Sequence, residues 1–334
     1  MKMKKKHLIS SSLLIILSLF IQILPCAASE PDSAAEYPPA QYLTATGIGQ
    51  SEQEARRQAK AEMSSIFEAQ VTSSMLSIVK SALSGSGEET VTRDAAQKIG
   101  ILSAVELKGV TIEKTWYDKK QKVYYALAVL DKQKARREWQ GKIDSFDDKI
   151  ETSLNSLNAI TSTFSRLQAL LKINKVWIER EVIASRLRVL GFPDASMADY
   201  EIRDIYKKIN ELKSNIKIYL DFAKDKCADR VVSLISEELN QEGYILKTDQ
   251  ADSNLIIKGS VTVEQVDIDI PDWKYARATI TVSIIDTEAD AIVGKFEETK
   301  RGSHLSYSEA ENNAIKKVSS ILAERIIAYF KDVE

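Results

Sequence analysis

The stretch WQGKIDSFDDKIETSLNSLNAITSTFSRLQALL, residues 139–171, decides how the rest of the chain is read. Along it run Trp139, Ile143, Phe146, Ile150, Leu154, Leu157, Ile160, Phe164, Leu167 and Leu171. They recur at steps of three or four, a mean of roughly 3.6, the period of a helix with one apolar stripe. No proline interrupts the run, and the intervening residues are mostly charged or polar. A stripe of that length must lie against another helix or another chain. On either side the texture changes to strands and shorter helices. The expected class is therefore α+β: two small sheet-plus-helix modules joined by a long helical-hairpin insertion.

The helical texture continues through Val176, Ile183, Leu187 and Leu190 until Gly191-Phe192-Pro193 ends it. A further amphipathic helix runs from Ala198 to Asn215, carrying Ile202, Ile205, Tyr206, Ile209 and Leu212. Residues 132–215 thus read as a rod or hairpin with a third strut. Its stripes either close on one another within the chain or join two copies of it. Gly141 near the start of the rod costs about 1 kcal/mol against Ala. The basic run Lys132, Lys134, Arg136 and Arg137 reads as a solvated face, with a phospholipid or acidic partner as the alternative.

Before the rod, Tyr42 to Gly49 reads as a strand ending in glycines. Ser51 and Glu54 follow at capping-box spacing. Ala55, Ala59, Met63, Ile66 and Phe67 open a helix running to about Leu83. The glycines are read as the means of a sharp turn, the alanines as a close seat on a sheet. Gly85-Ser86-Gly87 is a break, with a short helical piece at 94–102. Val105 to Tyr117 and Lys122 to Asp131 form a hairpin about the Asp118–Gln121 turn. The return strand, VYYALAVLD from Val123 to Asp131, is apolar on both faces and so belongs at the centre of its sheet.

After the rod come a short strand at Ile216–Leu220, a helix from about Asp225 and a strand at Tyr244–Leu246. Three strands follow, at 255–266, 276–286 and 292–299. The last helix is capped by Ser306 with Glu309 and carries Ala310, Ala314, Val318, Leu322, Ile326 and Phe330. Ser51/Glu54/Ala55/Ala59 and Ser306/Glu309/Ala310/Ala314 share one spacing after a glycine. Any capped helix seated on a sheet wants that spacing, so convergence accounts for the echo.

Residues 1–28 read as an export signal: cationic Met1–Lys6, apolar Leu8–Leu24, then small residues at Ala27-Ala28-Ser29. Residues 29–40 are a flexible, proline-bearing leader. Cys26 follows Ile23-Leu24-Pro25, where a lipidation signal would want a small residue in place of Pro25. Cleavage after Ala28 or Ser29 and lipidation of Cys26 are therefore both open, the first favoured. The 334 residues carry a net charge of −2, which gathers neither nucleic acid nor acidic lipid. Histidine is confined to His7 and His304, cysteine to Cys26 and Cys227. Those counts leave few soft ligands for a metal and no cluster for nucleophilic chemistry.

The segment TATGIGQSEQEARRQAKAEM (44–63), the hairpin ending VYYALAVLD and the export signal together resemble the LPP-twenty lipoprotein family. The amino-terminal domain of flagellar assembly protein T is similar to the same stretch, residues 41–131. The resemblance implies a small Gram-negative envelope protein without catalysis. Residues 216–334 are similar in element order to the TolB amino-terminal and curli-secretion-lipoprotein type of domain.

Gly47-Ile48-Gly49 lacks the third glycine of a dinucleotide fingerprint, and Glu52 stands where it is wanted. Gly302-Ser303-His304 precedes a helix start, where amides could hold an anion, but His304 reads as a loop residue bonded locally. Cys227 shares the apolar face of its helix and reads as packed and inert, with an intermolecular disulfide as the alternative. Trp116, Tyr117, Trp273 and Tyr275 lie near loop tips and read as partner contacts or as lids of a small core. No catalytic, cofactor or metal residue is assigned. The expectation is an exported, non-enzymatic periplasmic protein, tethered to the outer membrane if Cys26 is lipidated, that binds envelope proteins and no nucleic acid. The alternative is a periplasmic protein that senses a ligand or binds peptidoglycan fragments, with its pocket between the last module and the helices.

Overall fold

The computed structural model describes residues 33–83, 107, 109–194, 197, 198, 200, 202–223, 226–268, 270 and 272–331. The export signal expected at 1–28, Cys26, the break expected at 85–87 and the helical piece expected at 94–102 lie outside the described residues. Within them the chain is mixed helix and sheet, α+β.

Alternation of apolar and polar residues gives three antiparallel strands: β1 (Tyr42–Gly49), β2 (Thr111–Asp118) and β3 (Val123–Asp131). Their order is β1-β3-β2, so the doubly apolar β3 is central. Helix α1 (Glu52–Leu83) lies on this sheet through Ala55, Ala59, Met63, Phe67 and Val71. Its start is capped on both sides. The Ser51 hydroxyl accepts from the Glu54 N–H at 3.2 Å, and the Glu54 carboxylate accepts from the Gln50 N–H at 2.8 Å.

Gly47 and Gly49 do not turn the chain. Both are paired within β1, opposite Ala126 and Tyr124, and neither has positive φ. Gly47 is there because the α1 backbone sits on it: a Cβ would come within 3.0 Å of the Ala59 amide nitrogen and the Ala55 carbonyl oxygen. Residues 33–36 make a helical turn, Glu36 pairs with Lys114, and the Lys132 ammonium donates to the Pro39 carbonyl at 2.7 Å.

The long apolar stripe is one surface folded in half. Helix α2 (Lys132–Ser156) ends in a 3-10 turn at Leu157–Ala159, and α3 (Thr163–Val189) runs back beside it. The reversal needs no proline. Ser162 is extended (φ −70°, ψ 133°), and its hydroxyl accepts from the Ser165 N–H at 3.0 Å, starting a new helix. Trp139, Ile143, Ile150 and Leu157 of the first half and Phe164, Leu167 and Leu170 of the second are buried in one core. The stripe thus closes within the chain. Helix α4 (Ile202–Asn215) is the third strut, against α3.

The second sheet contains β4 (Lys217–Asp221), β5 (Ile245–Lys247), β6 (Leu255–Val266), β7 (Lys274–Asp286) and β8 (Ala291–His304). Helix α5 (Lys226–Gln241) joins β4 to β5, and α6 (Tyr307–Phe330) follows β8. The order is β5-β4-β6-β7-β8; β5 and β6 run parallel to β4, and the remaining pairs are antiparallel. Helix α6 crosses β7 and β8 and packs beside α5. Strand β8 extends past the expected 299 to include Gly302-Ser303-His304, and His304 pairs with Lys274 rather than lying in a loop. Gly302 repeats the device of Gly47: a Cβ there would come within 3.0 Å of the Ala310 carbonyl oxygen and the Ala314 amide nitrogen of α6. The shared spacing in the two modules is therefore a shared helix-on-strand contact.

The β7–β8 turn fastens the second sheet to the helical hairpin. Asp286 is fully buried and accepts from the Ser162 hydroxyl and from the amides of Glu288 at 3.0 Å and Ala289 at 3.1 Å. The Glu288 carboxylate in turn accepts from the Thr163 hydroxyl at 3.1 Å.

Candidate functional site

Several of the exposed aromatic and aliphatic side chains lie at or beside strand ends, while Ile66 of α1 and Met197 before α4 are exposed elsewhere. In the first sheet the register places Ile48, Tyr125 and Trp116 in one cross-strand row, and Gly49, Tyr124 and Tyr117 in the next. Trp116 stacks on Tyr125 with centroids 5.3 Å apart, and Tyr117 leans on Tyr124 at 4.8 Å. Ile48 is 52% exposed and Tyr117 46%, while Trp116 is half-buried by its stack. In the second sheet Trp273 is 45% exposed, and Leu305, just past the Lys274–His304 pair, is 64% exposed. Ile270 is also exposed, and the Trp273 N–H donates to its carbonyl at 3.3 Å. Tyr275 is half-buried within β7. The two expected aromatic pairs thus lie at the ends of different sheets, each with one exposed and one half-buried member. Ile48, Ile270 and Leu305 carry no pattern of their own in the sequence; Ile48 is placed by strand register, and Ile270 and Leu305 lie in the segments before β7 and after β8.

Helix α3 buries charge: Arg180, Glu181 and Arg186 are all buried. The Arg180 side chain is 1% exposed and grips Asp147 of α2 with Nε at 2.8 Å and Nη2 at 3.1 Å, and it donates to the Met197 carbonyl at 2.8 Å. The Tyr200 hydroxyl donates to the same Asp147 at 2.8 Å. Glu181, also buried, lies 3.5 Å from Arg180 and pairs with Arg188. Burial works against the Arg180 charge, yet Asp147 outweighs it and its pKa is raised. Burial raises the Glu181 carboxyl, with Arg188 and then Arg180 pulling it down. The network ties α2, α3 and the segment before α4 together. Its charges are spent on one another, which suits a latch better than a catalyst.

A cleft of about 510 Å³ lies where the hairpin meets the last module, between α3 and the β8/α6 edge. Phe164 and Tyr329 wall it with centroids 6.0 Å apart, Val293 lies at the β8 side, and Ser165, Gln168 and Lys172 supply polar groups. The Tyr329 hydroxyl is turned away onto the Val293 carbonyl. Gln168 Nε2 donates to the Tyr329 carbonyl at 3.2 Å, fixing α3 against the end of α6. A second hollow of about 170 Å³ adjoins it between α2 and α3, sharing Ala169 and Lys172 and adding Lys149, Ile150 and Ser153.

Among the described residues no three His, Cys, Asp or Glu side chains gather as a metal site. No helix among them is long and apolar enough to cross a membrane. Cys227 sits half-buried at the start of α5, packed on the core.

No family model and no curated protein matches the chain. Solved structures do. The secreted protein HP1454 of Helicobacter pylori aligns over 84% of this chain and 97% of its own, at 14% identity and a TM-score of 0.42. A minor lipoprotein of Acinetobacter baumannii aligns over 35% of this chain and 90% of its own, at 19% identity and a TM-score of 0.27. The rare lipoprotein B of Shewanella oneidensis covers 35% and 94%, at 12% identity and a TM-score of 0.26. These neighbours are bacterial lipoproteins and a secreted protein, and no catalytic family is indicated. None of the likenesses lends this chain a role.

Proposed function

We propose that this chain is an exported, non-enzymatic protein of the Gram-negative envelope that acts by binding other envelope proteins through the exposed ends of its two sheets. The observation that carries the reading is the exposure of large apolar side chains at the sheet ends: Ile270, Trp273 and Leu305 beside one, and Ile48 and Tyr117, on opposite faces, at the other. Large side chains left in water at strand ends are the anchors that protein interfaces use. The signal-like residues 1–28 and the LPP-twenty resemblance of residues 41–131 support export to the periplasm. Lipidation of Cys26 would add an outer-membrane tether. Self-association through the hairpin has less support, since its apolar stripe is already buried.

The test is photo-crosslinking in cells from a benzoylphenylalanine placed at Trp273 or at Tyr117, with exposed Lys316 of α6 as the control position. Discrete adducts with an envelope protein are expected from the first two positions and not the third. Adducts indistinguishable from the control at both ends would sink the proposal.

A further inference from the structure

We infer that β8 pairs along its free edge with β8 of a second copy of this chain, antiparallel and centred on Thr299. This goes beyond the binding of other envelope proteins and rests on different residues.

Strand β8 ends its sheet: β7 lies on one side of it, and among the described residues no strand lies on the other. At 14 residues it is long for an edge strand. No proline interrupts it, and from Gly294 to His304 its register with β7 carries no bulge. Alternate residues of an antiparallel strand turn their N–H and C=O to the same side. Two carbonyls of one parity accept from α6 side chains, that of Glu297 from Arg325 at 3.3 Å and that of Ser303 from Asn313 at 3.2 Å. Thr299 and Arg301, of the same parity and between them, have no such cap among the described residues, and each capped carbonyl keeps a second lone pair. A straight edge of this kind is a template for another strand.

Side chains choose the occupant. Lysines on an edge ordinarily repel a second copy. Here the edge reads Glu297-Glu298-Thr299-Lys300-Arg301, acids before and bases after a neutral centre. A two-fold axis perpendicular to the sheet keeps every residue on its own face, so residues that face each other must differ by an even number. Centred on Thr299, that symmetry sets Glu297 against the second copy's Arg301 and Glu298 against its Lys300, twice over. Centred on Glu298 or on Lys300, it sets two like charges against each other on the axis.

The sheet supplies an independent reason. On the face turned from α6, Glu264, Arg277 and Arg301 form one cross-strand row. Glu264 holds Arg277 at 2.8 Å, and Arg301 is left facing a like charge, which is destabilising. Glu297 of the second copy would stand on the other side of Arg301 and give it a carboxylate. Glu297, Thr299 and Arg301 are all exposed. Glu298 already pairs with Arg325 of its own α6, so the weight falls on the Glu297–Arg301 pairs.

The experiment is sedimentation equilibrium of the purified exported protein, for which a reversible dimer is expected. Glu297→Arg and Arg301→Glu should each weaken it at least about tenfold, since either sets two like-charge pairs across the interface. Mixed one to one, the two variants should form a heterodimer, because both pairs then regain opposite signs; a dimer made through another surface would not respond in this way. The inference fails if the wild type is monomeric, if either variant dimerises like wild type, or if the mixture does not associate. Should either variant fail to fold, Thr299→Cys in a Cys227→Ser background decides: a disulfide between copies at the axis supports the pairing, and its absence under oxidising conditions overturns it.

Discussion

Glycine-to-alanine substitution should have opposite signs at three positions of this chain, for reasons visible in its packing. At Gly47 and Gly302 the added methyl would come within 3.0 Å of backbone atoms of α1 and α6, more closely than Cβ atoms approach anything in folded proteins. Neither glycine has positive φ, so backbone strain is not at issue and the cost is purely steric. Backbone cannot swing aside as a side-chain tip can. The helix must lift off its strand, loosening Met63 and Phe67 under α1, or Val318 and Leu322 under α6. Overpacking costs about 1–3 kcal/mol, and contact with rigid backbone places these two sites toward the upper end. Gly141, within α2, has nothing within 4 Å of its would-be Cβ. There alanine removes only the glycine penalty and should stabilise by about 1 kcal/mol. Urea unfolding with a common slope measures all three. A loss of under about 1 kcal/mol at both Gly47 and Gly302 would refute the reasoning, as would any loss at Gly141.

Two further outcomes concern buried polar groups. Burial lifts the Tyr206 phenol from its ordinary value of 10.0 to about 12, against a smaller opposing effect of Asn174. The unfolded chain therefore ionises first. Stability should hold up to about pH 10 and then fall by roughly 2–3 kcal/mol by about pH 12 from this group alone. Tyr206→Phe should flatten that part of the curve in pH-dependent unfolding; an unchanged slope would mean the phenol is solvated. Arg180→Ala should cost about 3 kcal/mol, because it leaves Asp147 to the Tyr200 hydroxyl and Glu181 to Arg188 alone. A variant as stable as wild type in urea would show that water already screens the network.

Much of the architecture is legible because strand and helix periods differ. Leu127 and Val129 on one face of β3, with Ala126 and Ala128 on the other, mark a central strand by their apolar character alone. The reversal at 157–162 is not legible in the same way. Leu157, Ile160 and Phe164 keep helical steps across it, since apolar spacing records which face is buried and not the direction of the chain. The one local clue is Thr161-Ser162-Thr163, a run suited to capping but set within an unbroken apolar stripe. Glycine is ambiguous for a related reason: Gly47 and Gly302 before capped helices suit a turn equally well, and only the helix lying across them tells the two apart. The burial of Arg180 has no local sign in the sequence, because its partner Asp147 lies 33 residues away on α2. The cleft has no local signature at all, being made where α3, β8 and α6 happen to meet.

Helix α3 touches α1, α2 and α4, and through Phe164 and Gln168 it also meets α6. The interior of the first sheet is therefore left unfinished until residues far downstream have been delivered, and the last sheet leans on the same helix. A chain threaded amino-terminus first through a narrow channel would stay slack for most of its passage. The first sheet's interior could set once α3, ending at Val189, had emerged, and the second sheet only after β8 and α6 had followed.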